Sequence, residues 1–457
     1  MSTASAHLSP DLVQRLTGRG RRFDAVQPPA LGAHEYDPAE YARALAQVAA
    51  QPADTLSLYV HIPFCAGRCL YCGCNTTVTH DSARMDAYLD TLDREMAMIA
   101  ARIDGDGDGN RDLLQVHLAG GTPNYLSEAQ LSRLTEMLER RFHIVADTEL
   151  SIECDPRRAS AGQLELLHAL GYRTISFGVQ DLDPDVQRAI GRIQSEELIR
   201  DVYWLAREIG FDSINFDLIY GLPLQTEAAF TRTIEAVLEL SPDRVACFGY
   251  ARQTLDGAHQ YAIDVHELPT NAEREHLFRY AVSRFTEAGY RWIGLDTFAL
   301  ETDDLAQAQA EGRLHRNCIG YTSMPSTHLI GLGAGAVGEI MGTCLQNQPD
   351  LAVWQQRVDA GRLAVDRGHK LSDLDRRRRD ALSHLICNLE LPLAMASGCL
   401  DDEYKRLAAY AGDGLVDVLP DGLRVTEAGR FFLRELCTEQ DAYFHWDRAR
   451  WHFSHSD

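Results

Sequence analysis

The 457-residue chain has no apolar run approaching the roughly 20 residues that cross a bilayer, and its start, MSTASAHLSPDLVQRL, has neither the basic opening nor the apolar core of a signal peptide. A cytoplasmic location and no membrane partner are therefore expected. Positive charge is scarce. Lys+Arg is 44 against Asp+Glu at 67, a formal net charge of -23, which opposes attraction to nucleic acid or anionic lipid over most of the surface. Nucleic acid is not an expected partner, and an anionic substrate would need a local cluster of Arg or Lys inside a cleft. A disulfide framework is missing too. Eleven cysteines is an odd number, and seven of them (Cys154, Cys247, Cys318, Cys344, Cys387, Cys399, Cys437) stand singly. That scatter suits a reducing compartment in which they are small buried residues.

The remaining cysteines are crowded. Cys65, Cys69 and Cys72 form Cys-x3-Cys-x2-Cys in HIPFCAGRCLYCGC, directly after the apolar run Ser57-Leu58-Tyr59-Val60. Zinc ribbons place two Cys-x2-Cys pairs, and no second pair follows here, so zinc is disfavoured. Three thiolates within eight residues suit three irons of a cubane iron-sulfur cluster and leave the fourth without a protein ligand. An open iron can bind a small molecule.

The length implies two or three domains, and 45% hydrophobic with 24% charged residues is ordinary globular composition. From residue 57 short β-branched runs alternate with amphipathic helical patterns, the signature of parallel βα units. Candidate strands are 57–60, 113–118, 149–154, 174–179, 214–220, 245–250 and 291–295, each trailed by a helix-length segment. Met85, Tyr88, Leu89, Leu92, Met96 and Ile99 recur at helical spacing and predict one buried stripe. Ser127 with Gln130 and Ser160 with Gln163 read as capping boxes. The fold class is α/β, a full or partial βα barrel, whose active site is built by loops after the strands. Residues 1–50, with Pro28-Pro29 and the basic cluster Arg15, Arg19, Arg21 and Arg22, form an appended N-terminal arm. Residues 51–345 form the barrel, and 346–457 a mostly helical C-terminal domain. In that last part, helical patterning covers 373–388, and two short strands around Pro420-Asp421-Gly422 precede a helix capped by Thr426, a winged-helix-like pattern. The acidic balance favours a structural or lid role for it over DNA binding.

Several local patterns have competing readings. Ala119-Gly120-Gly121-Thr122-Pro123 after the second strand is either a tight βα turn or a place where a ligand approaches backbone. Glu153, Asp155, Gln180, Asp181 and Asp217 stand at or near strand ends, where polar groups converge on one rim. Asp104, Asp106, Asp108 and Gly109 imitate an EF-hand start, but Gln115 occupies its twelfth position, so an acidic loop is expected. Gly333-x-Gly335-x-x-Gly338 lacks the following strand and acidic residue of a dinucleotide site. The Arg376 to Arg379 run, with Asp373, Asp375 and Asp380 around it, reads as a solvated, salt-bridged helix face.

Together, YVHIPFCAGRCLYC, AGGTPNYL, SIECDP, FGVQD with VQRAIGR, NFDLIYGLP, EGRLHRN with GYT, LICNLEL and DGLVDV resemble the radical S-adenosylmethionine superfamily. Within it, the extra Cys74 in CxxxCxxCxC is similar to the oxygen-independent coproporphyrinogen III oxidase family, over most of residues 55–440. The resemblance implies a partial barrel of the radical SAM type. It implies that Cys65, Cys69 and Cys72 hold a [4Fe-4S] cluster, with Cys74 nearby but not a ligand. Two S-adenosylmethionine molecules are implied: Tyr59, Gly120, Glu153 and Val337 would contact the first, and Tyr71, Gly121, Thr122, Gln180, Arg192, Asp217 and Ala251 the second. The implied reaction is anaerobic, radical-driven decarboxylation of two propionates of coproporphyrinogen III to vinyl groups, giving protoporphyrinogen IX in haem biosynthesis. Cys74, Tyr59 and Arg252 are the expected catalytic positions, a flavodoxin or ferredoxin the expected electron donor, and a monomer the expected state.

Four departures from the family pattern bear on the substrate. Ala119 replaces the first glycine of GGGTP, RRFDAVQPPA from Arg21 to Ala30 replaces a Tyr-rich arm motif, and Arg252 and Thr297 stand where His is expected. They spare the cluster and cofactor positions. A radical tetrapyrrole methyltransferase or haem-cleaving relative remains an alternative, as does a haem-trafficking protein, although Cys74 and the long arm weigh against the last.

Overall fold

Strand β1 (Leu56–Ile62) is buried over nearly its whole length: Leu56, Leu58, Val60 and Ile62 enter the main apolar core, while Ser57, Tyr59 and His61 alternate onto the other face. Just before it, helix α1 (Pro38–Ala49) starts at the Asp37 cap and adds Tyr41, Ala44, Leu45 and Val48 to the same core. The computed structural model describes residues 35–103, 111–252 and 258–438. The basic cluster from Arg15 to Arg22, the proline pair, the stretch from Arg21 to Ala30 and the acidic residues Asp104 to Gly109 lie outside the described residues.

From β1 the sheet extends through β2 (Leu113–Gly120), β3 (Glu149–Cys154), β4 (Tyr172–Gln180), β5 (Ser213–Tyr220) and β6 (Arg244–Gly249), each parallel to its neighbour. The crossovers carry α2 (Ser82–Ile103), α3 (Glu128–Arg141), α4 (Ala161–Ala169), α5 (Glu196–Ile209) and α6 (Glu227–Leu240). All six residues of the expected α2 stripe are buried. Ser127 and Gln130 complete a capping box on α3. Ser160 caps α4, but its box is half made. The Gln163 side chain turns away to donate to the Asn124 and Leu126 carbonyls, pinning the turn after β2.

The seventh expected strand is present as β7 (Tyr290–Gly294), preceded by α7 (Asn271–Glu287), but it is an edge. It is followed by β8 (Thr297–Leu300) rather than a helix, and β8 pairs antiparallel with both β7 and β6. The seventh parallel strand is β9 (His328–Leu332), on the other side of β1. Beyond it β10 (Val337–Ile340), β11 (Thr343–Asn347) and β12 (Val365–Lys370) continue antiparallel. The order β12-β11-β10-β9-β1-β2-β3-β4-β5-β6-β8-β7 has two ends, so the parallel core is a partial βα arrangement with antiparallel extensions. Residue 345 falls inside β11, and the sheet runs on to Lys370.

Helix α8 (Leu351–Asp359) packs on α2. There Glu95, 2% exposed, accepts hydrogen bonds from Gly333 N–H (2.7 Å), Asn347 Nδ2 (2.9 Å) and Trp354 Nε1 (3.3 Å), and Tyr88 stacks against Trp354 at 4.7 Å. Burial raises the Glu95 pKa to about 7 despite these donors. The glycine motif closes this network: Gly333 has φ +98°, and a Cβ there would collide with the Tyr88 hydroxyl and the His61 carbonyl. It is a packing device between β9 and β10, consistent with no dinucleotide fold.

A second apolar cluster lies between α9 (Asp373–Asn388) and the three-stranded antiparallel sheet of β13 (Glu390–Pro392), β14 (Val416–Leu419) and β15 (Gly422–Val425). Thr426 caps the next helix as expected. The arginine run is less solvated than its pattern suggested. Arg376 pairs with Asp373, but Arg378 donates to the Cys399 carbonyl (2.7 Å) and Arg379 pairs with Glu339 of β10, tying α9 to the large sheet. Trp354→Ala should cost about 3–5 kcal/mol, the range for a buried aromatic truncated to a cavity, and removes one Glu95 donor; urea unfolding of the metal-free protein measures it.

Candidate active site

The cysteine loop leaves the C-terminal end of β1 and closes on itself. Thr77 N–H donates to the Pro63 carbonyl (2.7 Å) and Thr79 N–H to the Cys65 carbonyl (3.2 Å), so the short strands Phe64–Cys65 and Thr77–Val78 pair and bring the loop back to its start. His61 fixes the far end. Its Nε2 lies 2.9 Å from the Asn75 carbonyl, which only accepts, so Nε2 carries the proton and Nδ1 accepts from the Tyr59 hydroxyl at 2.9 Å.

Each expected ligand thiol meets a donor from a different place. Cys65 Sγ is 3.2 Å from Thr122 Oγ1, Cys69 Sγ accepts from Arg192 Nη1 at 3.7 Å, and Cys72 Sγ accepts from the Cys74 N–H at 3.4 Å. Such contacts favour thiolate. Burial raises the Cys65 thiol to about 11 against the Thr122 contact, whereas hydrogen bonding from Cys74 chiefly pulls Cys72 down to about 7. Cys65 and Cys69 are buried, Cys72 half-buried and Cys74 exposed, and all eleven cysteines are free.

Cys65, Cys69, Cys72 and Cys74 line one cavity of about 600 Å³. Among the described residues no three His, Cys, Asp or Glu side chains are arranged to hold a single metal ion. Three free thiols on one roomy cavity fit the donor set of a cluster. The glycine pair forms the adjoining wall. Gly120 has φ +117° and a Cβ there would strike the His61 ring at 2.7 Å, while a Cβ on Gly121 would come within 2.8 Å of the Pro63 carbonyl and 3.0 Å of Cys65 Sγ. Close backbone approach to the cysteine loop therefore requires both glycines.

The rest of the cavity comes from strand ends. Tyr71, Gly120, Gly121, Thr122, Glu153, Gln180, Arg192 and Asp217 all line it, so eight of the expected cofactor positions meet there. Gln180 adopts φ +67°, a conformation costly outside glycine, at the end of β4. Arg192 Nη2 donates to the Gly178 carbonyl (2.7 Å) and reaches Asp155 at 3.4 Å, while its buried Nε has no partner among the described residues. Burial opposes ionisation of Asp155, but Arg157 and Arg192 together hold it below the usual carboxylate range. Asp217 goes the other way: burial and the Glu153 charge raise it to about 7, against hydrogen bonds from Asn215 and Ser176. The site thus offers cations and anions side by side, as a zwitterionic ligand needs.

Four expected positions do not line this cavity. Tyr59 lies along β1, near-parallel to the His117 ring at 6.3 Å. Val337 borders a separate cavity of about 170 Å³ together with Arg316 and Arg379. Ala251 and Arg252 follow β6, where the Arg252 guanidinium sits over the Tyr261 ring at 4.6 Å. The sequence reading passed over Arg68, Arg157 and Arg158 at the cavity and the polar belt of His117, Ser151, Ser176 and Asn215. The belt's signal was polar residues two apart within β2 to β5, Gln115 and His117, Ser151 and Glu153, Thr174 and Ser176, and Asn215 and Asp217; the three arginines lie outside these strands and that pattern.

Residues 59–237 match the radical SAM superfamily. The chain is 41% identical over 440 residues to oxygen-independent coproporphyrinogen III oxidase of Escherichia coli K12, covering 94% of each. It is 36% identical to the protein of the same name in Pseudomonas aeruginosa, covering 95% of each. A solved structure of coproporphyrinogen III oxidase from Escherichia coli, titled as a radical SAM enzyme, superposes with a TM-score of 0.86 at 39% identity, covering 95% of this chain and 99% of that one.

The raised Asp217 carboxyl makes stability depend on pH. The unfolded chain loses this proton near the ordinary value of 3.8 and the folded protein only near 7, so stability present at low pH is lost as pH rises across that window. Thermal melts of metal-free Asp217→Asn should lose that slope relative to the unsubstituted protein.

Proposed function

Since the chain belongs to the oxygen-independent coproporphyrinogen III oxidases of the radical SAM superfamily, we propose that it converts coproporphyrinogen III to protoporphyrinogen IX anaerobically by oxidative decarboxylation of two propionates. It is a radical SAM oxidoreductase. The observation that carries the reading is identity of 41% running through 94% of both chains, with the three thiols and eight further motif residues on one cavity.

Cys65, Cys69 and Cys72 would hold the [4Fe-4S] cluster, with Cys74 beside it and not ligating. Bound there, the cluster and S-adenosylmethionine supply an electron and, from it, methionine and a 5′-deoxyadenosyl radical. The chain's own residues orient what they bind. Glu153 and Asp217 accept from ammonium or hydroxyl groups, Arg192 offers its unpartnered Nε to a carboxylate, and backbone at Gly120 and Gly121 lets ligand atoms approach closely. A second S-adenosylmethionine is part of the proposal: Tyr59, Gly120, Glu153 and Val337 would serve the first molecule, and Tyr71, Gly121, Thr122, Gln180, Arg192, Asp217 and Ala251 the second. Holding the radical carbon against one propionate C–H bond, and excluding water and oxygen, is the protein's share. Hydrogen transfer to the radical would give 5′-deoxyadenosine and a substrate carbon radical, which would release carbon dioxide and pass one electron to a one-electron acceptor to give the vinyl group. Arg252 suits a carboxylate-rich substrate. No helix of the described residues is long and apolar enough to cross a membrane. We further propose a cytoplasmic monomer reduced by flavodoxin or ferredoxin.

Anaerobic incubation of reconstituted protein with S-adenosylmethionine, a reductant and coproporphyrinogen III should yield protoporphyrinogen IX together with 5′-deoxyadenosine, read by mass analysis. Deoxyadenosine without loss of carboxyl groups would overturn the substrate and keep the superfamily. Cys69→Ser should abolish the iron-dependent absorption, and Cys74→Ser should leave it. Arg252→Ala should raise the substrate KM by about tenfold or more, as for a lost contact to a charged group, with iron content unchanged; an unchanged KM dismisses the role.

A further inference from the structure

Cys72 is the most exposed of the three expected ligand thiols, and the hydrogen bonds to its sulfur come from Cys74 of the same loop, through its side chain and its N–H. Its position must therefore come from its backbone. That backbone is gripped from across the fold. His259 Nε2 lies 2.6 Å from the Cys72 carbonyl, and Gln260 Nε2 donates to the Tyr71 carbonyl at 2.7 Å and to the Ala251 carbonyl at 3.4 Å. Both residues lie in the short turn Ala258–Ala262, nearly two hundred residues along the chain from the loop they hold. Gln260 is fully buried. A carbonyl only accepts, so His259 carries its proton on Nε2, which leaves its buried Nδ1 as an acceptor without a partner among the described residues. An orphaned buried acceptor is unfavourable; His259 tolerates it in order to present the other nitrogen to the loop. The opposite side of the loop is held separately, by Leu70 N–H donating to the Ile190 carbonyl at 2.9 Å.

We propose that His259 and Gln260 are positioning residues that clamp the last turn of the cysteine loop and fix Tyr71, a lining residue of the cavity, against the backbone of Ala251 after β6. The proposal rests on the radical SAM reading of this cavity. One buried amide bridging both carbonyls sets how far Tyr71 stands from β6, and the His259 contact fixes the direction in which Cys72 presents its sulfur. The two residues touch no reacting atom.

The test uses Gln260→Leu, which keeps the bulk and removes both donors, with His259→Ala and His259→Gln, the last returning an amide N–H at similar reach. In metal-free protein, hydrogen exchange of the amides of residues 69–75 should accelerate about tenfold in Gln260→Leu and His259→Ala, the factor for one unmet hydrogen bond. After reconstitution, iron content should stay at the unsubstituted level, the KM for S-adenosylmethionine should rise about tenfold with a smaller change in kcat, and the cofactor-induced change in the spectrum of the reduced cluster should shrink. His259→Gln should recover most of each effect. Unchanged exchange and unchanged spectral response in both loss-of-donor variants overturn the clamp, as does His259→Gln being as impaired as His259→Ala. If Gln260→Leu shows no cooperative melt, the His259 pair decides. Unsubstituted protein without any spectral response to S-adenosylmethionine defeats the cofactor reading instead, and exchange in the metal-free protein then judges the clamp alone.

Discussion

Between Cys65 and Thr77 the loop that shows three thiols to one cavity is neither helix nor strand, so its backbone groups have to find partners elsewhere. Everything around the Cys65 to Cys74 segment answers to this. Pro63 and Cys65 carbonyls receive the returning strand, the Ile190 carbonyl receives Leu70, and His259 and Gln260 supply donors to Cys72 and Tyr71. His61 donates to the Asn75 carbonyl, and Asn75 Nδ2 in turn donates to the Ala334 and Pro349 carbonyls. The loop is irregular in shape and closely specified in position, because partners from five separate regions of the chain agree on it.

The second layer of support lies behind β1. Tyr88 of α2 donates to the His61 carbonyl at 2.6 Å and accepts from Ala334 N–H at 3.2 Å, so the helix after the cysteine loop, the strand before it and the turn between β9 and β10 meet at one hydroxyl. Glu95, two turns further along α2, fastens the same turn to β11 and α8. This explains why the sheet does not end where the βα alternation ends. The antiparallel strands β10 to β12 and helix α8 supply the atoms that hold β9 against β1, and β9 supplies the far wall of the loop.

The parallel strands β1 to β6 were legible because each is a β-branched run followed by a helix with a stripe at 3.6-residue spacing, and their ends fell within three residues of those read. Strand β9 was not, since HLIGLGAGAVGEI is dense in glycine and reads as a motif rather than a strand. Gly331 within it faces the Val337 carbonyl, and Gly333 just after it faces the Tyr88 hydroxyl and the His61 carbonyl, tertiary facts with no local trace. The candidate site divides the same way. Cys65 to Cys72, Gly120, Glu153, Gln180 and Asp217 stand at or near strand ends, where the chain's own periodicity points to them. Arg157 makes a bidentate pair with Asp155 two residues away, and could have been read from SIECDPR. His259 and Gln260 could not, because a donor's value to the loop depends on a carbonyl nearly two hundred residues earlier.

Charge gives the last link between composition and site. A chain at -23 repels a polyanion at long range, yet four arginines, Arg68, Arg157, Arg158 and Arg192, line the cavity. Two of them, Arg157 and Arg192, share the single carboxylate of Asp155. Arg68 is instead engaged by Thr76 and Arg158 lies over the Tyr125 ring at 5.4 Å, and neither is in an ion pair among the described residues. Screening at physiological salt cuts off the global field within about 8 Å, so a carboxylate that reaches the cavity mouth experiences the unpaired guanidiniums more than the distant acidic surface. The local reversal of sign is thus compatible with the acidic composition. The thiols have their own partners in Thr122, Arg192 and Cys74, so the guanidiniums of Arg68 and Arg158 that face a carboxylate at the cavity are different side chains from those that contact the sulfurs.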